Sequence, residues 1–197
     1  MKKILIFGGT FNPVHNGHIY MCRTLSDYID ADEVYIIPTF TPVHKEVDKS
    51  LVSSEHRLNM CNLAFDRKNE FVSDLEVKQG RPCYSYETLT WFSESCPDAQ
   101  LYLACGSDMF LSLHTWRNPQ ILFEKAIVCA VSRQEDYGAL KHYAEKHSRD
   151  GLRSIIVDAE PMIISSTQIR DNIKFKDDFS GMPEQVADYI KRNNLYL

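Results

Sequence analysis

Short apolar runs and helical patterns take turns along the chain. Ile4-Leu5-Ile6-Phe7 reads as a buried strand that stops at Gly8-Gly9, and a helix is predicted over about residues 17–29. A second run, Val34-Tyr35-Ile36-Ile37, ends at Pro38, and Ser54 is placed as the cap of a helix reaching about Phe65. A strand near Phe71-Val72 follows, then a helix over about residues 84–95. Residues 101–105 and 126–131 are continuous apolar runs, the pattern of parallel strands buried on both faces. A polar helix over about residues 135–147 precedes a strand at 154–157. This alternation predicts an α/β fold, an open parallel Rossmann-like sheet with helices on both faces. With no repeat and no linker, residues 1–197 are expected to form one domain, and two loops, 39–53 and 175–182, to be mobile.

Composition narrows the function more than the fold. Hydrophobic residues make up 44% and charged residues 25%, with a formal net charge of −5 and no basic block. That argues against nucleic-acid binding, which needs a concentrated Lys/Arg face. An anionic small substrate stays compatible, since a few local donors can hold phosphates. The six cysteines are scattered without a C-x-x-C pair and are expected as reduced, mostly buried thiols. The apolar run after Met1-Lys2-Lys3 is too short for a secretory signal, and no stretch nears the ~20 apolar residues of a membrane span. A soluble, cytoplasmic protein is expected, with homo-oligomerisation left open.

The candidate chemistry begins where the first strand ends. In open α/β sheets, ligands bind outside the carboxyl ends of strands, at the switch in strand order. Gly8 and Gly9 permit a tight turn there, and the helix that follows aims N–H groups and a partial positive charge at the same place. His15 and His18 flank the helix start and can donate to phosphate oxygens. The segment is neither a G-x-G-x-x-G fingerprint nor a P-loop, and no nearby Cys or acid completes a zinc set around the two histidines. Toward the other end, Ser165-x-x-Gln168 fits a capping box that opens a short helix, with Arg170 one turn on.

Gly8-Gly9-Thr10-Phe11-Asn12-Pro13-Val14-His15-Asn16-Gly17-His18 resembles the GGTFDPxHxGH signature of the nucleotidyltransferase superfamily, with Asn12 where many members carry Asp. Ile164-Ser165-Ser166-Thr167-Gln168-Ile169-Arg170 resembles its ISSTxIR segment, and Gly106-Ser107-Asp108 its GxD element. The resemblance implies ATP contacts from Gly8, Gly9, Thr10, Phe11, His15, His18, Gly106, Asp108, Ile164, Ser165, Ser166, Thr167 and Arg170. His18, His15 and Arg170 would stabilise the transferring phosphate.

Three further segments resemble the nicotinate-nucleotide adenylyltransferases within that superfamily. Trp116-Arg117-Asn118-Pro119 follows at their spacing, where the Trp stacks on the nicotinate ring. Arg81 to Leu89 is similar to their R-x-x-SYTxDTL stretch, with Cys83, Ser85 and Glu87 replacing Ser, Thr and Asp. Pro38 to Lys45 is similar to their P-x-x-x-P-x-H-K loop. Acceptor contacts are therefore expected from Asn12, His44, Lys45, Tyr84, Ser85, Trp116 and Arg117.

The implied reaction is adenylyl transfer from ATP to nicotinate mononucleotide, in NAD biosynthesis. It needs no general base, because the acceptor phosphate is already an anion; alignment and charge stabilisation carry the catalysis. Mg²⁺ is expected on the triphosphate, with few protein ligands. Nicotinamide mononucleotide and phosphopantetheine remain alternative acceptors. A non-catalytic ATP-binding module would be expected to have lost a phosphate-contacting residue, and His15, His18 and Arg170 are all present.

Overall fold

The computed structural model describes residues 1–43, 50–132, 136–160 and 162–197. Six strands form one sheet: β1 (Lys2–Gly9), β2 (Glu33–Pro38), β3 (Glu70–Val72), β4 (Ala99–Cys105), β5 (Ala126–Ser132) and β6 (Ser154–Asp158), in the order β3-β2-β1-β4-β5-β6. β1 pairs with β4, β4 with β5 and β5 with β6, all parallel. The α-helices among the described residues are α1 (Asn16–Ile29), α2 (Ser54–Ala64), α3 (Leu75–Gln79), α4 (Ser85–Ser95), α5 (Ser107–Phe110), α6 (Pro119–Lys125), α7 (Tyr137–His147), α8 (Ser166–Lys176) and α9 (Glu184–Arg192). None is long and apolar enough to cross a membrane.

The continuous apolar runs become the inner strands for the expected reason: Ile4 to Phe7 and Leu101 to Cys105 are buried without alternation. Differences from the sequence reading concern short or capped elements. Ser53, not Ser54, caps α2: its backbone is extended and its Oγ accepts the His56 N–H at 3.2 Å. Helices α3, α5 and α6 are too short to show a period. α9 does carry one, burying Val186, Ala187 and Ile190. The helix opened by Ser165 is not short; it runs to Lys176, so the first two residues of the predicted 175–182 loop are helical. Glu135, placed at the start of a predicted helix, lies outside the described residues, and α7 begins at Tyr137.

Chain contacts divide the protein into two compact units, each assembled from separated segments. The first comprises Met1–Gly8, Cys22–Tyr35 and Tyr84–Pro161. In it the register sets Phe7 of β1 opposite Ala104 of β4, so the carboxyl ends of these neighbours lie side by side. The strand order reverses between β1 and β4, which is the switch where such sheets hold ligands. The second unit comprises Gly9–Met21, Ile36–Cys83 and Met162–Leu197. Here α2 and α9 are joined by Tyr189, whose hydroxyl meets His56 Nδ1 at 2.9 Å and accepts from Asn59 Nδ2 at 3.0 Å.

Candidate active site

The turn after β1 is shaped by close packing around Phe11. A Cβ on Gly9 would stand 2.8 Å from the Phe11 ring, so only glycine fits there. Phe11 is buried with a left-handed φ of 49°, and its ring meets the His18 ring edge-on at 5.1 Å. The Asn12-Pro13 peptide is cis.

His15 and His18 hold each other reciprocally. The His15 N–H donates to His18 Nδ1 at 3.3 Å, and the His18 N–H donates to His15 Nδ1 at 3.2 Å. Their rings stack with centroids 3.6 Å apart. With each Nδ1 accepting, the proton of the neutral ring sits on Nε2, at the far edge of each imidazole. Burial lowers the His15 pKa to about 4, so His15 is neutral at pH 7. Gly17 completes the fit, since a Cβ there would lie 3.0 Å from His15 Nδ1.

The start of α1 offers fewer open N–H groups than the sequence suggests. The Asn16 N–H is taken by Gly181 O at 2.9 Å, and those of His18 and Ile19 by His15 O at 2.9 and 3.2 Å. The helix therefore contributes chiefly its field, and the imidazoles contribute directed donors.

The Ser-Ser-Thr segment docks on this turn. Ser166 Oγ donates to Pro13 O at 2.9 Å, and Arg170 Nη1 donates to Asn12 O at 2.9 Å. Ser165 caps α8 by accepting the Gln168 N–H at 3.2 Å, and Arg170 Nη2 reaches Thr167 Oγ1 at 3.4 Å. Ser165 and Thr167 are exposed, while Ile164 is half-buried beside Gly181. Two segments that are far apart in sequence thus form one cluster of hydroxyls, imidazoles and a guanidinium.

Residues the sequence reading did not single out hold the cluster in place. Arg57 is 0% exposed and donates to three carbonyls: Val52 O at 3.2 Å, Thr10 O at 2.8 Å and Phe40 O at 2.7 Å. Burying the charge costs several kcal/mol. Three charge-assisted bonds worth about 1.5–3 kcal/mol each offset that cost. Burial still pulls the Arg57 pKa down. A signal was present, because Arg57 shares helical spacing with the buried Met60, Cys61 and Ala64. Asn12, expected to meet the acceptor, is 5% exposed, and its side chain is bonded to Ser50, Val52 and Tyr196.

The other expected residues fall in the first unit. Gly106 precedes α5, and a Cβ on it would crowd Asp108 Oδ1 at 2.8 Å; Asp108 itself is exposed. Ser107 Oγ donates to Asp136 Oδ2 at 3.0 Å. Tyr84 stands just before α4, where the Glu87 carboxylate accepts its N–H at 3.2 Å, and Ser85 is the first helical residue. The longer Glu87 side chain thus works as a helix cap. The exposed Arg117 guanidinium lies 4.8 Å over the Tyr84 ring, next to the half-buried Trp116. His44 and Lys45 lie outside the described residues.

No cysteine forms a disulfide, and burial pushes the Cys61, Cys105 and Cys129 thiols up, away from nucleophilic thiolate. Among the described residues, no three His, Cys, Asp or Glu side chains gather to hold a metal ion.

A family model described as Cytidylyltransferase-like matches residues 6–172, a span that includes both motifs. A Neisseria meningitidis serogroup B protein named "Probable nicotinate-nucleotide adenylyltransferase" is 36% identical, with 100% of this chain and 99% of that protein covered. One of the same name from Clostridium tetani is 34% identical, with 100% of both covered. The solved structure of Plasmodium falciparum nicotinic acid mononucleotide adenylyltransferase complexed with NaAD shares the fold at a TM-score of 0.79 and 21% identity, covering 100% of this chain and 98% of that one.

Proposed function

The chain belongs to the cytidylyltransferase-like family, and from that premise we propose that it transfers the adenylyl group of ATP to nicotinate mononucleotide, releasing pyrophosphate. The full-length relatives support the choice of acceptor. The observation that carries the chemistry is the docking of the Ser166–Arg170 end of α8 on the His15–His18 turn, through bonds of 2.9 Å to Pro13 O and Asn12 O.

The acceptor's phosphate attacks the α-phosphorus, an oxygen–phosphorus bond forms as the bond to pyrophosphate breaks, and negative charge spreads over the phosphate oxygens. Neutral imidazoles with Nε2–H at their outer edges suit that charge, and they supply donors without abstracting a proton. His18, half-buried, is assigned as the donor to the α-phosphate oxygens in the transition state. The buried His15 fixes its tautomer and plane. Arg170 and the exposed hydroxyls of Ser165 and Thr167 are assigned to the departing pyrophosphate oxygens. Gly8 and the Gly106–Asp108 turn, at the carboxyl ends of adjacent strands, are assigned to the adenosine.

Mg²⁺ bound to the triphosphate would neutralise phosphate charge. It would need few ligands from the protein. For the acceptor, Trp116 offers a stacking face, and Arg117 with Tyr84 and Ser85 offers a cation and hydroxyls. His44 and Lys45 are proposed as further cations for the acceptor phosphate.

The test is pyrophosphate release from ATP with nicotinate mononucleotide, nicotinamide mononucleotide and phosphopantetheine compared side by side. Fastest release with nicotinate mononucleotide is expected; turnover of phosphopantetheine alone would overturn the reading.

A further inference from the structure

We propose that Tyr196 is a positioning residue for this reaction, acting through Asn12 on the turn that ends in His15. The inference rests on the adenylyl-transfer reading. Asn12 Nδ2 donates to Ser50 O at 3.2 Å, and Asn12 Oδ1 accepts the Val52 N–H at 3.3 Å. The side-chain amide thus pairs with a backbone segment as a neighbouring strand would. The Tyr196 hydroxyl donates to the same Oδ1 at 2.8 Å and fills its second lone pair. Burial pushes the Tyr196 phenol up, so this donor keeps its proton.

Only an amide satisfies the whole set. A carboxylate at position 12 would set an oxygen against Ser50 O, now 3.2 Å from Nδ2. Asn12, where the resembled motif often has Asp, is thus turned inward as a clamp with both its donor and its acceptor in use.

Other groups hold the same turn at other points. Arg57 Nη1 holds Thr10 O at 2.8 Å and Arg170 Nη1 holds Asn12 O at 2.9 Å. Both of these bonds are made to main-chain carbonyls. Without the hydroxyl, Oδ1 loses its 2.8 Å partner and keeps the longer bond from the Val52 N–H at 3.3 Å, and the turn gains freedom just before the imidazoles. Displacements well below 1 Å matter to a group that stabilises a transferring phosphate.

The experiment is a double-mutant cycle of Tyr196→Phe and Asn12→Ala, with steady-state kinetics on ATP and nicotinate mononucleotide well below each variant's melting temperature. For Tyr196→Phe, kcat should fall about fivefold while KM for ATP stays within about twofold, the scale of one hydrogen bond felt in the transition state. The double variant should be no slower than Asn12→Ala alone. A role confined to stability would lower the melting temperature and leave kcat of the folded enzyme unchanged, which overturns the proposal, as would effects that multiply. Wild-type turnover in the same assay separates the two readings. An inactive wild type fails adenylyl transfer and this role with it, whereas an active wild type matched by Tyr196→Phe fails this role alone. If Tyr196→Phe does not fold, the wild-type Val52 amide decides: protection from deuterium exchange about tenfold or more above the unstructured rate supports the clamp, and unprotected exchange overturns it.

Discussion

The turn around His15 and His18 and the surface around Tyr84 and Arg117 are built on opposite plans. The first is held by partners drawn from α2, α8 and Tyr196, half-buried apart from one fully buried guanidinium spent on three carbonyls. The second rests on nearby residues and one exposed cation–π contact at 4.8 Å. A group that must meet charge developing on phosphorus gains from being fixed beforehand, since reorganisation then costs nothing at the moment of reaction. A surface that only has to grip an acceptor ring or phosphate can adjust to it.

The sharpest way to break this contrast is His18→Ala. We expect kcat to fall about 10²–10³-fold with the melting temperature little changed, the scale of losing one preorganised donor. Near-normal turnover by the folded variant would remove the turn from catalysis.

Acid provides the next test, through His15. Its pKa is about 4 in the folded protein against an ordinary 6.5, so between these values the unfolded chain binds a proton that the native chain does not. Stability contributed by the neutral ring is complete above about pH 6.5 and is lost as pH falls toward 4, by about 3 kcal/mol in all. Denaturant midpoints for the wild type and His15→Gln, compared at pH 7 and 4.5, isolate this term from the carboxylates. Equal losses in the two proteins would refute it.

The smallest effect belongs to the exposed side. Arg117→Ala should raise KM for nicotinate mononucleotide about two- to fivefold, as an exposed cation–π contact allows, while KM for ATP stays constant. A loss of kcat as large as that of His18→Ala would erase the distinction between the regions.

How much of this was readable beforehand follows the range of the interactions. The strand-forming runs, the cap at Ser165 and both nucleotide motifs are local patterns, written within a dozen residues each. The cap of α2 was misplaced by one residue because two serines adjoin and only backbone geometry chooses between them. Arg57 could have been suspected from its spacing to Met60, Cys61 and Ala64, but not its three carbonyl partners. No local pattern in the sequence paired Tyr196 with Asn12.

The sequence by itself determined the parallel α/β order, the glycines that let Phe11 and His15 pack closely, and the supply of neutral donors and cations suited to phosphate chemistry. Only the tertiary structure decided that Asn12 turns inward, that the Asn16 N–H at the start of α1 is already taken by Gly181 O, and that Ser166 and Arg170 dock on the turn before His15. The reason is physical. A residue's type sets which bonds it can make, but its partner is chosen by which backbone groups the fold has buried and must satisfy.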